Sequence, residues 1–83
     1  MEIVGVAILH NGTVWSLPAP KRHHDVIRDI AEATGETDIF GIQGFVTKGG
    51  YFLTRPDAAE VALRYGQITA LSHPPDLYSE DLW

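Results

Sequence analysis

The densest group of chemically capable side chains in the 83-residue chain is Lys21-Arg22-His23-His24, with Arg28 one helical turn further on. Lys21, Arg22 and Arg28 are half of the six basic side chains. The group lies where a helix is expected to begin. No Ser, Thr, Asp or Asn fills the capping slot ahead of it. Orphan N–H groups of a first helical turn, set among cations, make a phosphate site. Arg28 can add a bidentate contact. The competing reading is a solvated basic face whose first turn is satisfied by water or Asp25.

Other chemistry finds less support. His23 and His24 project about 100° apart on a helix, so they do not share one ion. A catalytic zinc needs about three protein ligands, and His10 and His73 sit in expected turns without ligand spacing. Hydrogen bonding to phosphate, or a structural role, suits these histidines better. There is no cysteine, no Gly-x-Ser-x-Gly and no serine with an identifiable base. Asp57 and Glu60 lie one turn apart and read as a helix start plus an exposed Glu60–Arg64 pair. The expectation is a binding domain without catalysis, metal or cofactor.

A second candidate is Phe45, which follows Gln43-Gly44. Glycine there lets a ligand or a backbone come close. Arg55 follows ten residues later. A base can stack on Phe45 while Arg55 meets a phosphate, against the alternative that Phe45 is core. The segment from Gly44 to Arg55 with its helix superficially resembles the hairpin–helix of Nudix hydrolases. Those enzymes hold magnesium with a run of helix glutamates, and this helix has only Asp57 and Glu60, so that activity is rejected.

The elements that position these residues can be read from pattern. Ile3–Leu9 is a continuous apolar run, which suits a buried strand. Asn11-Gly12 is the strongest hairpin signal, and Thr13–Leu17 is the returning strand. Residues 22–34 read as a helix with Val26, Ile27, Ile30, Ala31 and Thr34 on one stripe and Gly35 after its last turn. Ile39–Thr47 and Tyr51–Leu53 read as strands around Lys48-Gly49-Gly50. Thr54-Arg55-Pro56-Asp57 has the cap, proline and acid of a helix start. That helix runs to Tyr65 and stops at Gly66. Gln67–Leu71 is expected to add a last short strand. Pro74-Pro75 opens a tail, about 74–83, whose Leu77, Leu82 and Trp83 call for docking on this domain or a second subunit. The predicted fold is a single α+β domain over 1–83, with a mostly antiparallel sheet, two helices and order ββαββα(β).

Composition narrows the partners. The net charge of −5 argues against polymeric nucleic acid and anionic membrane. Ile3–Leu9 is too short for a membrane span and lacks the flanks of a signal peptide. The absence of cysteine fits a reducing compartment. A domain this small buries only about 60–65% of its unfolded surface, and oligomerisation is a common remedy.

Three segments resemble a known family: Ser16 to Ile27, Gln43-Gly44-Phe45, and Leu77-Tyr78-Ser79-Glu80-Asp81-Leu82-Trp83. Together they look like small phage proteins of the first Thoeris anti-defence family, and the resemblance covers most of the chain. It implies a sponge in the cytoplasm of an infected bacterium. Such a protein holds cyclic ADP-ribose isomers, cyclic dinucleotides or cyclic trinucleotides without cleaving them. It implies a homo-oligomer, dimer or hexamer. Carried over by position, Arg22, His23, His24 and Arg28 lie near one phosphate-binding region, and Phe45 and Arg55 near another. The chain is shorter than several such relatives after Gly66, so pocket residues from that stretch do not carry over. The competing function is a protein–protein adaptor or structural phage protein using the tail. A weaker third is a phosphoester hydrolase dependent on His23 or His24.

Overall fold

Asn11 and Gly12 both take positive φ, 49° and 77°, as a type I′ turn requires. They join β1 (Ile3–His10) to β2 (Thr13–Pro18) in the computed structural model, which describes residues 1–83. The chain continues through α1 (His23–Thr34), β3 (Ile42–Thr47), β4 (Phe52–Thr54) and α2 (Arg55–Arg64), then a 3-10 turn at Ser79–Asp81. The sheet order is β2-β1-β3-β4, with every neighbouring pair antiparallel. This is an α+β fold of order ββαββα.

One face of the sheet carries the core. Val6, Ile8 and Phe45 meet Val26 and Ile30 of α1 and Ala58, Ala59 and Ala62 of α2. Alanine on that face of α2 lets the helix lie close to the strands. Thr54 caps α2 by accepting from the Asp57 N–H, with Pro56 in the first turn. Gly35 closes α1 in the left-handed conformation, its N–H on the Ala31 carbonyl. No helix is long and apolar enough to cross a membrane.

Three expected elements differ. Gln67–Leu71 forms no strand. Both edges of β1 are already paired, and a side chain takes the place of a strand. Gln67 Oε1 accepts from the Ile3 N–H at 2.9 Å and its Nε2 donates to the Ile3 carbonyl at 2.8 Å. Ile39–Gly41 stays outside β3, because the Phe40 carbonyl turns to the His10 ring instead of a strand partner. Tyr51 precedes β4, its N–H on Thr47 Oγ1 and its carbonyl on the Thr47 N–H.

Candidate functional site

α1 starts one residue later than expected, with Arg22 as the capping residue. Its first turn is tied back by Asp25, whose carboxylate accepts from the Arg22 N–H at 2.9 Å. That bond holds the Asp25 carboxyl below its ordinary value, and nearby His24, Lys21 and Arg28 act in the same direction. The N–H groups of His23 and His24 have no protein acceptor. Lys21, His24 and Arg28 stand exposed around this turn. His24 lies 3.4 Å from Asp25 and Arg28 lies 3.8 Å from it, both solvated contacts of small energetic weight.

Arg22 and His23 turn the other way, toward β3, α2 and the tail. Arg22 donates to Ser79 Oγ at 2.8 Å, to Glu80 at 3.1 Å and to the Trp83 carbonyl. The Trp83 indole N–H returns to the Lys21 carbonyl at 3.0 Å. Arg55 makes a matching clamp. It donates to the Leu77 carbonyl at 2.8 Å and to Gln43 Oε1 at 2.6 Å, and its guanidinium lies 4.5 Å from the Tyr78 ring centroid. Between the clamps, Leu77 is wholly buried in the core. Asp81 folds the tail by accepting from the Tyr78 and Ser72 N–H groups. Burial would raise the Asp81 carboxyl, but these bonds hold it below its ordinary value.

His23 is buried, with Nε2 at 2.8 Å from the Gly44 carbonyl. A carbonyl only accepts, so Nε2 carries the proton and donates. The ring meets Phe45 edge-on at 5.2 Å. Burial lowers the His23 pKa most, and Arg55 lowers it further. The Gly44 bond and Glu80 oppose them without reversing the shift. Phe45 has no exposed surface and lies 6.0 Å from the Arg55 guanidinium. Its ring is therefore closed to a stacking base in this conformation. Gly44 does permit a close approach, but by backbone. A Cβ there would stand 2.1 Å from the Leu53 carbonyl oxygen.

The six residues singled out from sequence thus fall into two groups. Arg22, His23, Phe45 and Arg55 converge under the tail. His24 and Arg28 remain outside, with Lys21. Tyr78 and Gln43 complete the inner group. Both stand in segments quoted from the sequence, but no local pattern links either of them to Arg55. No group of three or more His, Asp or Glu gathers as metal ligands.

The lowered His23 pKa gives a testable sign. The unfolded chain takes up the proton near 6.5, before the folded chain does. Stability is therefore full above 6.5 and falls as the pH drops below it, by up to about 1.4 kcal/mol per unit until the folded ring protonates. Urea unfolding between pH 7.5 and 5.5 should show this loss, and His23→Gln should flatten it. An equal slope in the variant would place the sensitivity elsewhere.

A family model described as phage T4 y16D protein matches residues 2–83. No curated protein and no solved structure matches the chain.

Proposed function

We propose that this chain, which belongs to the phage T4 y16D protein family and is a small phage protein, is an anti-defence sponge, binding a cyclic nucleotide signal in the infected cell and holding it uncleaved. The observation that carries this reading is the start of α1. Exposed Lys21, His24 and Arg28 surround two N–H groups without acceptors, in a protein of net charge −5. Helix dipole, free donors and cations all favour a phosphate there. Asp25 already neutralises part of this charge, so a phosphate must draw Arg28 and His24 away from it. The acidic remainder disfavours polymeric nucleic acid.

Tight retention needs enclosure, since ligand sites bury most of the ligand surface. A shallow depression of about 370 Å³ is lined by Met1, Glu2, Tyr65, Gly66 and Gln67, and shares no residue with the cationic turn. Enclosure at α1 therefore falls to a second copy, which makes a homo-oligomer part of the proposal. The adaptor reading is weakened by the tail itself. Arg22, Arg55 and the buried Leu77 already engage it within the chain.

The test is capture and release. The pure protein is mixed with cyclic ADP-ribose isomers and cyclic di- and trinucleotides, freed of excess ligand, then heat-denatured. Intact ligand in the released fraction is the expected result. A cleaved product, or no captured ligand from any class, overturns the reading.

A further inference from the structure

Asn11 is the only asparagine of the chain, and it stands in the β1–β2 turn with glycine after it. The backbone nitrogen that follows an asparagine can attack the side-chain amide carbon and close a succinimide ring. Glycine exposes that nitrogen best and leaves the backbone freest to rotate into the attack. A Cβ at Gly12 would meet nothing within 4 Å, so the approach is open. The Gly12 N–H has no acceptor, so no hydrogen bond holds the nucleophile back.

The fold adds a proton donor at the leaving group. His10 is buried at the end of β1. Its Nδ1 meets the Phe40 carbonyl, and its Nε2 lies 3.1 Å from the Glu36 carboxylate. Both partners only accept, so a ring that meets both donates from both nitrogens. The same Nε2 lies 3.3 Å from Asn11 Nδ2. In the intact amide that nitrogen is a donor with no lone pair to offer, so the two N–H groups face each other without a bond. Once Gly12 has attacked, the nitrogen becomes a basic amine and accepts from Nε2. The contact is thus favourable only along the reaction, which is the condition for catalysis.

We propose that Asn11 is a self-modification site, at which the Gly12 nitrogen displaces the side-chain amide and His10 acts as general acid. The bond from Gly12 N to Asn11 Cγ forms while water or hydroxide takes the Gly12 N–H proton. The Cγ–Nδ2 bond breaks as ammonia leaves with the His10 proton, and solvent reprotonates the ring. Water then opens the succinimide at either carbonyl, giving aspartate or isoaspartate. The net change is amide plus water to acid plus ammonia, with no oxidant or cofactor. Aspartate tolerates the left-handed conformation of residue 11 and keeps the turn. Isoaspartate lengthens the main chain by a methylene and removes the turn that sets the strand register. Because β2 is an edge strand, the loss stays in that hairpin. Either product puts a second carboxylate beside Glu36 at His10.

The proposal does not rest on the nucleotide reading, and its test uses the ligand-free full chain. The protein is incubated near neutral pH in water enriched in heavy oxygen, then digested and its N-terminal peptide, ending at Lys21, followed by mass spectrometry. The expected product has the Asn11 amide replaced by a carboxyl carrying heavy oxygen, as separable aspartate and isoaspartate forms. His10→Gln can still bond the Phe40 carbonyl but supplies no acidic proton. It should slow the reaction about 100-fold, the low end for a general acid. The parent unfolded in guanidinium chloride keeps His10 in sequence but not in place, and should be slowed as well. That comparison holds even where His10→Gln fails to fold. An intact Asn11 in the folded parent overturns the site. A folded parent no faster than the unfolded chain, or no faster than His10→Gln, overturns the role of His10.

Discussion

Replacing Leu77 with Ala should lower the unfolding free energy by about 2–5 kcal/mol, the range for a buried leucine truncated in a packed core. For a domain of this size that corresponds to a fall in melting temperature of roughly 8–40 °C. Leu77 has no exposed surface and belongs to the same apolar cluster as Val6, Ile30 and Phe45. Its position is fixed from both sides of the chain. The Leu77 N–H meets the Arg55 carbonyl, and the Leu77 carbonyl accepts from the Arg55 guanidinium. The tail is thus part of the folding unit rather than an appendage. Urea and thermal unfolding of Leu77→Ala test this, with Leu63→Ala as an exposed control. A loss under ~0.5 kcal/mol, the range of ordinary surface changes, would mean that the tail contributes nothing to the core.

Local chemistry explains which parts of this fold were legible in the sequence. Asn11-Gly12 specifies its own turn conformation, and Thr54 with Pro56 and Asp57 specifies a helix start. Val26 and Ile30 declare a buried stripe by spacing alone. Each signal is complete within a few residues. Gln67–Leu71 failed because its fate depends on a place in the sheet, and β1 offers none. The site divides in the same way. The cationic start of α1 is contiguous, so its composition exposed it. The inner group is assembled from α1, β3, α2 and the tail, and only the assembled fold separates Arg22 from Arg28. Arg22 faces Ser79 and Trp83, whereas Arg28 faces solvent. A sequence reads both as equivalent cations.

That separation decides which substitutions can test ligand binding cleanly. Arg22→Ala would remove its hydrogen bonds to the tail together with any bond to ligand, so weaker binding there is ambiguous. Lys21→Ala with Arg28→Ala avoids the problem, because both side chains are exposed and hold no buried group. The double variant should melt within a few degrees of the parent. It should bind the captured cyclic nucleotide about 100-fold more weakly, at roughly tenfold for each charge-assisted hydrogen bond removed. The deficit should shrink with added salt, since both cations are solvent-screened. Asp25→Asn supplies the opposite sign. It keeps an oxygen acceptor for the Arg22 N–H while removing the carboxylate that competes for His24 and Arg28. Binding should tighten several-fold. A phosphate on the α1 turn requires both shifts. If the double variant binds as well as the parent, the phosphate sits elsewhere, and the cations at α1 serve only to solvate that end of the helix.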